Sequence, residues 1–570
     1  MEAVAINTER KFKMDHCGLP TLIEHFYKWE QQKPNAVYLR QPEGDRWIEY
    51  TWREVGEQAR RMAMALKAMD LAPKSHIGII SKNCAHWIIS DLAIMMAGHI
   101  SVPFFPTLSA DQLQVVLEHS DTQVLFVGKL DSWDIMKAGI PASMPVITYP
   151  PYSGGAPVVG DNFLKWEDLM AQYSPLQTNY VPQHADLMTI CYTSGTTGVP
   201  KGVMLSYYAF ATLQESVKDQ LGNELPEIVY FSYLPLNHMA ERLVVESASL
   251  ASGGMIAFAE SLDTFARNLA ETRPTHFLAV PRIWTKFQQG VFAKIPPKKL
   301  NRLFKIPILS GMIKKKIKKS LGLDRAKYVL TGAAPMPEAL FRWYRTLGVP
   351  IREGYGMSEN TAACTSMRLD RIKFGTVGEP QDGVELKIDP ETGEILMKSE
   401  WVMEGYYKQP ELTAQVLRDG WLYTGDRGRI DEDGFLVITG RVKELFKTAK
   451  GEYVSPFTLE SGFATNPDIE QICVVGAGMP QPMALIVLSE EGKKKDHKEV
   501  EEGLMTSLSE VNGQVFPYER IQKLIIVPDA WNVETGIMTP TLKIKRNAIE
   551  DKYGAAFEKW FDRPEIIIWA

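Results

Sequence analysis

Short buried strand patterns alternate with helical patterns through most of the first 440 residues, and this alternation constrains the fold more than any other feature of the chain. The segments SHIGIISKN, TQVLFVG and HFLAVPR are typical of short buried strands, and each adjoins a helical segment. Such alternation favours α/β layers with largely parallel sheets. A chain of 570 residues is too long for one hydrophobic core, so we expect two or three domains.

The pattern changes near residue 375 to short strands and turns, as in GVELKI, GEILMKS and GFLVITG. We interpret this stretch as a small β-barrel-like subdomain. After GRVKELFK, the remaining residues, about 130, are typical of a compact α+β unit. We therefore predict a large N-terminal domain over residues 1–440 and a small C-terminal domain over residues 441–570.

Charge and cysteine usage narrow the class of protein. The net charge of −6 argues against nucleic-acid binding as the main function. The five cysteines lie far apart with no CxxC pair, which is typical of free thiols in a reducing cytosol. The N-terminus lacks the apolar run of a signal peptide. The apolar segment HWIISDLAIMMAGHISV carries His86, Asp91 and His99, which favours a core helix over a membrane span. We expect a cytoplasmic protein.

The segment YTSGTTGVPKG, residues 192–202, concentrates hydroxyl residues, glycines and Lys201. The preceding DLMTICYTS predicts a strand, and the following VMLSYYAFATLQESVKDQL predicts an amphipathic helix. A hydroxyl-rich loop between a strand and a helix is typical of phosphate binding, although flexible Ser/Gly/Thr loops have the same composition. Pro200 stands before Lys201, so the segment is not a Walker A loop.

Two later clusters offer groups that suit a nucleotide. In REGYGMSEN, glycines flank Tyr355 and leave a ring face open for a flat ligand, while Ser358 and Glu359 supply a hydroxyl for phosphate and a carboxylate for Mg²⁺. A turn with a capping serine is the alternative. Asp426, in a Thr-Gly-Asp turn, is suited to accept both ribose hydroxyls with Arg441 nearby; the alternative is a solvated ion pair.

Six motifs in order carry a family resemblance: YTSGTTGVPKG, TGAAP, EGYGMSE, YTGDRG, GRVKELFK and TPTLKIKR. Together they resemble the adenylate-forming superfamily, which includes acyl-CoA synthetases, luciferases and the adenylation domains of peptide synthetases. The resemblance spans nearly the whole chain. It implies that the bound anion is the triphosphate of ATP, that Mg²⁺ is the metal, and that the C-terminal domain is mobile.

The resemblance also implies residue roles. Lys543 is implied to be the catalytic lysine, with Lys545 as its local competitor. Lys201 is implied to hold phosphates, and Thr193 with Glu359 to hold Mg²⁺. The residues implied to bind ATP are Thr193, Ser194, Gly195, Thr196, Thr197, Gly198, Gly332, Ala333, Ala334, Pro335, Glu353, Gly354, Tyr355, Gly356, Ser358, Asp426, Arg441 and Lys447. Ser358 stands where the family usually has threonine, and the hydroxyl is kept.

The same resemblance implies that the C-terminal domain rotates between two half-reactions. The hinge falls at Lys443. After rotation, the loop around Gly451 would leave room for the pantetheine arm of CoA. Both assignments follow from the position of the residue in its motif.

Several segments are similar to long-chain fatty acyl-CoA synthetases in particular: SYLPLNHMAERLVVE, FKTAKGEYVSP and VETGIMTPTLKIKR. His238 is implied to stand near the acyl entrance; the alternative is a satisfied core histidine. Arg242 stands near where some relatives place a tryptophan gate, so the sequence leaves its gating role open. The expected reaction is fatty acid, ATP and CoA to acyl-CoA, AMP and pyrophosphate. The alternatives are an acyl-AMP ligase that loads a carrier protein and a non-catalytic lipid-binding relative.

Residues 293–322 hold ten lysines and arginines, no acidic residue, and interleaved Leu, Phe and Ile. Such a basic amphipathic stretch suits the surface of an anionic membrane, and a solvated charged helix is the equal alternative. We expect a soluble or peripheral protein of bacterial type without the N-terminal anchor of many eukaryotic relatives, at the inner face of the membrane if peripheral. By analogy with related synthetases a homodimer is plausible. The acyl chain-length preference is not readable from the sequence.

Overall fold

The fold is known from a computed structural model that describes residues 8–15, 17–131, 133–193, 200–220, 222, 224–532, 535–539 and 543–570. Within these residues the strands form two large sheets, a smaller antiparallel sheet, a two-stranded ribbon and a C-terminal sheet. This arrangement confirms the predicted layered α/β architecture with a small β subdomain and an α+β C-terminal unit.

The first large sheet has nine strands and a parallel centre. Its strands, in spatial order, are Glu379–Pro380, Thr365–Ser366, Ile351–Tyr355, Tyr328–Thr331, His276–Leu278, Val229–Ser232, Met255–Phe258, Val37–Glu43 and Arg46–Thr51. Antiparallel pairs occur only at its two edges. The predicted strand HFLAVPR lies in the parallel centre, as expected for a run that is buried on both faces.

The second large sheet has eight strands, most of them parallel. Its strands, in spatial order, are Gly405–Tyr406, Lys201–Ser206, Leu187–Thr193, Ile100–Phe104, His76–Ile80, Thr122–Val127, Val146–Thr148 and Leu164–Lys165. It contains the other two strands predicted from short apolar runs, which pair in parallel with each other.

The smaller sheets follow. The antiparallel subdomain sheet comprises Glu385–Ile388, Glu394–Lys398, Leu417–Arg418, Trp421–Ile430 and Leu436–Arg441. The two-stranded ribbon comprises Phe446–Lys447 and Tyr453–Val454. The C-terminal sheet comprises Ile469–Val475, Met483–Leu488, Lys523–Ile526 and Ile567–Trp569.

The helices cover the two large sheets and the C-terminal sheet. In the described residues they are Thr8–Asp15, Leu22–Gln32, Trp52–Lys67, Ala85–Ala97, Ala110–His119, Trp166–Gln172, Tyr207–Ser216, Met239–Glu241, Ala248–Ser252, Phe265–Thr272, Pro281–Lys294, Pro297–Phe304, Leu309–Ser320, Glu338–Leu347, Pro410–Val416, Pro456–Gly462, His497–Asn512, Arg546–Tyr553 and Phe557–Phe561. A wider π-helical turn, Arg242–Ser247, joins two of them.

Local sequence explains where the helices begin and end. The helix Trp52–Lys67 opens with a capping box, in which Thr51 and Glu54 satisfy each other's backbone N–H groups. The helix Ala85–Ala97 is buried along its whole length and ends at Gly98, whose φ is 79°. This confirms the prediction of a core helix. None of the described helices has the length and apolar character to cross a bilayer.

The flank of the glycine-rich loop differs from the prediction. The residues after the loop form the strand Lys201–Ser206, antiparallel to Leu187–Thr193, and the helix begins only at Tyr207. The predicted strand–loop–helix unit is therefore a β-hairpin followed by a helix. The second strand is mostly buried between its two neighbours in the sheet. The Ser206 hydroxyl caps the helix that follows by accepting from the Ala209 N–H.

Candidate active site

Two parallel strands of the nine-stranded sheet lead to the segments predicted to line the adenine slot. Tyr328–Thr331 and Ile351–Tyr355 are neighbours, so the chain leaves both at the same edge of the sheet. A side-chain carbon at Gly332 would lie 3.1 Å from the carbonyl oxygen of Gly354. The structure therefore brings the two predicted segments into contact.

The turn after the first of these strands has an exposed outer side, and a buried glutamate accepts a hydrogen bond from the backbone that follows the turn. Ala333 and Ala334 are exposed, and Ala333 has a φ of 66°, which is uncommon for a residue with a side chain. Glu353 is buried and accepts a hydrogen bond from the Met336 N–H at 3.1 Å. Burial raises the pKa of Glu353 to about 8. The hydrogen bond to Glu353 thus holds the backbone after the turn in place from the buried side.

Tyr355, Asp426 and Arg441 form one hydrogen-bonded cluster. The Tyr355 hydroxyl donates to Oδ2 of Asp426 at 2.7 Å, and Nε of Arg441 donates to Oδ1 at 2.9 Å. Asp426 and Arg441 are directly opposite each other on antiparallel strands. Desolvation alone would lower the pKa of Arg441, but Asp426 and Glu444 together outweigh it and the pKa is raised. Our sequence reasoning placed Tyr355 as a stacking ring and missed its hydroxyl bond.

Glu359 lies in a second cluster, with Tyr406 and Lys201. The Tyr406 hydroxyl donates to Oε1 of Glu359 at 2.7 Å. Nζ of Lys201 lies 5.6 Å from the centre of the Tyr406 ring. Burial, and then Glu359, raise the pKa of Tyr406 far above its usual value. Tyr406 belongs to none of the motifs found in the sequence; tertiary pairing of its short strand with the strand from Lys201 brings it here.

The donor set at Glu359 suits a hard divalent cation. Across the residues that the structure describes, no group of three or more His, Cys, Asp or Glu converges in a metal-binding arrangement. Mg²⁺ is usually bound by one or two carboxylates together with substrate phosphates rather than by a full protein cage. A single carboxylate with one oxygen already accepting from Tyr406 therefore fits the predicted metal role.

Lys543 reaches this region from the C-terminal domain. Its backbone is paired with Thr539 by two hydrogen bonds of 2.8 and 3.1 Å. Part of its surface meets solvent, but desolvation by the surrounding protein, and then Arg441, lower the pKa of the ammonium. Asp426 and Glu359 act electrostatically on Lys543 in the opposite direction. The catalytic candidate therefore lies within electrostatic range of both site clusters.

Lys545, the competing lysine, has different surroundings. It is the N-cap residue of the helix Arg546–Tyr553, and its backbone N–H donates to the carbonyl of Ile537 at 2.8 Å. Asp426 and Glu359 act electrostatically on Lys543, which lies two residues before Lys545. Lys543 therefore stays the predicted catalytic lysine, and its electrostatic contacts with Asp426 and Glu359 are consistent with that prediction.

His238 is close enough to Lys543 to be affected by its charge. Nδ1 of His238 accepts from the Ala240 N–H at 3.3 Å and so caps a short helix. Burial, and then Lys543, lower the pKa of His238 to about 4. The imidazole is therefore neutral at physiological pH. The hydrogen bond to the Ala240 N–H is what a core histidine would make. The proximity of Lys543 is what a residue near the active site would show.

The residues predicted to bind the phosphates lie in or beside the glycine-rich loop and in the turn at Ser358. Ser194, Gly195, Thr196, Thr197 and Gly198 lie outside the described residues. Thr193, just before them, pairs directly with Lys201 in the hairpin, so the two ends of the loop are adjacent. Ser358 follows the second site strand and opens the turn that carries Glu359.

Three C-terminal predictions lie on the segment that joins the domains. Lys443 is exposed in a short helical turn directly after the strand that ends at Arg441. Lys447 is exposed, and its Nζ lies 4.8 Å from the centre of the Tyr453 ring. This contact is separate from the Asp426 cluster and from the Glu359 cluster. Gly451 has a φ of 83° and open space where a side chain would stand. Glycine is therefore required there by the turn itself.

Arg242 is buried completely and held by three partners. Its guanidinium donates to Asp91 at 2.6 Å, Thr189 at 2.7 Å and Glu246 at 2.8 Å. Removing a paired charge from such a site is costly, so a swinging motion does not suit this side chain. The structure thus shows Arg242 as a buried, ion-paired side chain.

The C-terminal domain contacts the large domain away from the site as well. Arg282, near the start of the helix Pro281–Lys294, forms an ion pair with Glu470 on the first strand of the C-terminal sheet. This contact and the electrostatic range of Lys543 describe one docked orientation of the two domains.

Comparison with protein families gives two matches. The model described as "AMP-binding enzyme" matches residues 26–407, and the model described as "AMP-binding enzyme C-terminal domain" matches residues 443–565.

Curated relatives cover nearly the same length. The chain is 28% identical to "Long-chain-fatty-acid--CoA ligase FadD15" of Mycobacterium tuberculosis, over 94% of this chain and 96% of that protein. It is 29% identical to "Long-chain-fatty-acid--CoA ligase 5" of Rattus norvegicus, over 90% of this chain and 83% of the relative.

Solved structures support the fold. An adenylation domain of a carboxylate reductase from Mycobacterium chelonae has a TM-score of 0.79 at 23% identity, with 98% of this chain and 93% of that chain covered. An anthranilate CoA ligase in complex with anthranoyl-AMP has a TM-score of 0.75 at 21% identity, with 95% and 98% covered.

Proposed function

The chain belongs to the AMP-binding enzyme family, and on that premise we propose that it is an ATP-dependent fatty acid–CoA ligase for medium- to long-chain acids. The observation that carries the proposal is the pair of hydrogen-bonded clusters around Asp426 and Glu359. Both carboxylates lie within electrostatic range of Lys543 from the C-terminal domain. The relatives that match over most of their length are named long-chain-fatty-acid–CoA ligases, and this supports the choice of acid.

In the first half-reaction, a carboxylate oxygen of the fatty acid attacks the α-phosphorus of ATP. The bond to the β-phosphate oxygen breaks, pyrophosphate leaves, and an acyl-adenylate forms. Negative charge gathers on the phosphoryl oxygens in the transition state. Lys543 and Lys201 are positioned to stabilise this charge, because a fixed ammonium in a partly desolvated site requires no reorganisation during the reaction.

The nucleotide would be oriented by the hydrogen-bonded cluster. Asp426 keeps free lone pairs after accepting from Tyr355 and Arg441, so its carboxylate is able to accept two ribose hydroxyls. The adenine would lie along the contact between Gly332 and Gly354, beside the Tyr355 ring. The phosphates would extend toward Ser358 and the loop after Thr193.

Mg²⁺, when bound, would neutralise charge on the phosphates. Glu359 and Thr193 are the residues proposed to hold it. The bond from Tyr406 fixes the rotamer of Glu359, so that its second oxygen is kept in place. The neutral imidazole of His238 is suited to hydrogen-bond near the acyl carboxylate without a competing charge.

In the second half-reaction, the CoA thiolate attacks the acyl carbonyl and AMP leaves. We propose that rotation at Lys443 withdraws Lys543 and brings the turn at Gly451 to the site. The co-substrates of the proposed enzyme are thus ATP and CoA. The reduced state of five cysteines, none of which is paired in a disulfide, favours a cytoplasmic location. A homodimer is proposed by analogy only.

Pyrophosphate release, measured with and without CoA on a series of fatty acids, tests the proposal. We expect a slow single turnover without CoA and sustained turnover with CoA, together with formation of acyl-CoA. Sustained turnover only with a phosphopantetheinylated carrier protein would identify an acyl-AMP ligase. Fatty-acid binding without pyrophosphate release would identify a non-catalytic relative. Turnover with anthranilate but with no fatty acid would overturn the choice of acid.

A further inference from the structure

Two consecutive helices, Pro297–Phe304 and Leu309–Ser320, form a basic surface that the proposed reaction does not use. With the turn between them they are called the basic hairpin here. Nζ of Lys314 lies 5.1 Å from the centre of the Phe304 ring, so the end of the first helix lies beside the second.

The inner face of the basic hairpin is anchored to the large domain. Leu300 and Ile317 are buried in the core cluster that also contains Trp284 and Tyr344, and Phe304 and Ile313 pack partly against the same cluster. The hairpin is therefore part of the folded domain. A change on its outer face need not disturb the core.

The outer face is strongly positive. Of the ten cations in residues 293–322, all but Lys314 and Lys318 are exposed. Acidic groups next to the segment are already paired, Asp324 with Arg273 at 2.6 Å and Glu338 with Arg342 at 2.5 Å. In the described part of the chain, no carboxylate lies within 4.0 Å of any of the ten cationic groups.

The tip of the basic hairpin is apolar. Ile308 is 87% exposed, Met312 66%, Ile306 49% and Leu309 36%. Ile308 also has a φ of 49°, a conformation that β-branched residues rarely adopt. Ile308 is not part of the buried core cluster, so its apolar side chain adds nothing to core packing.

We propose that the basic hairpin docks the protein on anionic phospholipid bilayers, with the tip from Ile306 to Met312 inserted among the headgroups. Exposed apolar side chains surrounded by lysines are the pattern of an interfacial anchor. Each lysine close to the surface gains from the negative potential of the leaflet. A nucleic-acid backbone would pair with the lysines but offers no apolar surface for four exposed aliphatic side chains, whereas a bilayer offers both.

Docking would place the protein at the bilayer, into which long-chain fatty acids partition. The benefit of this position to the enzyme rests on the proposed function. The docking itself does not depend on it. The test therefore measures binding to vesicles and uses no activity.

The experiment is sedimentation of the full chain with vesicles of phosphatidylcholine alone, or of phosphatidylcholine with one third phosphatidylglycerol, at low and high salt. We expect binding to the anionic vesicles at low salt and loss of binding at high salt, because exposed charges are screened. Two variants separate the two contributions. The charge variant carries five exposed lysines as glutamine: Lys298, Lys299, Lys315, Lys316 and Lys319. The tip variant is Ile308→Ser with Met312→Ser.

Each variant should lower the partition coefficient on anionic vesicles by about tenfold or more. Matched controls change the same residue types elsewhere. Leu262→Ser removes another aliphatic side chain, which is 88% exposed. The charge control carries five exposed lysines from other surfaces as glutamine: Lys67, Lys137, Lys493, Lys494 and Lys498. Both controls should bind as the wild type does. Circular dichroism and thermal unfolding of each variant check the fold.

Three results would overturn the proposal. The first is wild-type protein that stays in the supernatant with anionic vesicles at low salt. The second is equal binding by the wild type and the charge variant. The third is a tip variant that binds as well as the wild type while an acidic oligonucleotide competes, which would make the lysines a site for another polyanion.

Discussion

Lys543 and Lys545 are two residues apart, and only their surroundings distinguish them chemically. Lys543 feels the charges of Arg441, Asp426 and Glu359, whereas Lys545 begins a helix on the C-terminal domain. Desolvation, and then Arg441, lower the pKa of Lys543, while Asp426 and Glu359 oppose the shift. These charges show that Lys543 lies within electrostatic range of the groups proposed to hold the nucleotide and the metal.

Replacing Lys543 with alanine should slow acyl-adenylate formation by about 10²–10³-fold, the usual loss when one stabilising donor is removed. Thioester formation from supplied acyl-AMP should change much less, because that step does not expel pyrophosphate. Rapid-quench measurement of each half-reaction checks this. Lys545→Ala is the matched control and should retain both steps. A larger loss in Lys545→Ala than in Lys543→Ala would reverse the assignment.

Glu359→Gln should weaken the use of Mg²⁺–ATP, since an amide oxygen is a poorer ligand for a hard dication than a carboxylate. We expect the Mg²⁺ concentration for half-maximal pyrophosphate release to rise about tenfold, with partial recovery at high Mg²⁺. Tyr406→Phe is the control for the hydrogen bond at 2.7 Å, because it leaves the carboxylate in place. An unchanged Mg²⁺ dependence in Glu359→Gln would move the metal elsewhere.

At the scale of elements, the helical segment from Met239 to Ser252 contains an unusual number of buried charges. Its π-helical turn holds Arg242 against Asp91, and Glu241 is buried one residue earlier. Oε1 of Glu241 accepts from the Ser232 hydroxyl at 2.9 Å and from the Tyr233 N–H at 3.0 Å. Burial nevertheless raises the pKa of Glu241 to about 8.

This raised pKa predicts a pH dependence of stability. Glu241 binds a proton in the folded state between pH values of about 4.3, the unfolded pKa, and 8. The unfolded state binds fewer protons in that range, so the free energy of unfolding falls as pH rises through it. One such group contributes at most about 1.4 kcal/mol for each pH unit.

Glu241→Gln removes the titrating group and keeps an acceptor for Ser232 and Tyr233. Between pH 5.5 and about 7.5, the melting temperature of this variant should fall less than that of the wild type, by about 1 °C for each kcal/mol in a domain of roughly 440 residues. Thermal unfolding by differential scanning fluorimetry measures the two slopes. Glu411→Gln, on the surface, is the control for replacing a glutamate. Parallel slopes for wild type and Glu241→Gln would refute the raised pKa.

At the scale of the whole molecule, the arrangement of the two domains matches the needs of the first half-reaction. The charges of Asp426 and Glu359 in the large domain act on Lys543. Arg282 of the large domain forms an ion pair with Glu470 of the C-terminal domain. Lys443 is exposed between the strand that ends at Arg441 and the rest of the C-terminal domain. An exposed joint can change its dihedral angles without disturbing packed elements on either side.

Lys443→Pro should therefore trap one arrangement, since proline fixes φ near −65°. We expect acyl-CoA synthesis from acyl-AMP to fall by at least about tenfold more than acyl-AMP formation. Rapid quench of the separate half-reactions measures the difference, and Lys443→Ala, which leaves φ free, is the control. Equal losses in both half-reactions from a folded Lys443→Pro protein would contradict the rotation at this residue.

Sequence alone predicted the layered fold because its signals are local. Apolar runs such as those in HFLAVPR and HWIISDLAIMMAGHISV give a strand and a core helix wherever they are buried, and both are confirmed. In the flank after the glycine-rich loop, the first residues were predicted wrongly as helix, whereas the helix from Tyr207 to Ser216 is confirmed. A segment with the pattern of Val203 to Ser206 fits either element, and pairing with Leu187–Thr193 decides for a strand.

The motifs likewise predicted Asp426, Arg441, Glu359 and Lys543 as site residues from their residue types and positions. Which of them meet was decided by the tertiary structure alone, because Tyr355 and Asp426 are 71 residues apart and Tyr406 and Glu359 are 47 apart. The burial of Arg242 and the raised pKa of Glu241 also depend on groups brought together by folding. Residue type determines which chemistry is available; long-range packing determines the distance, desolvation and charge that put it to use.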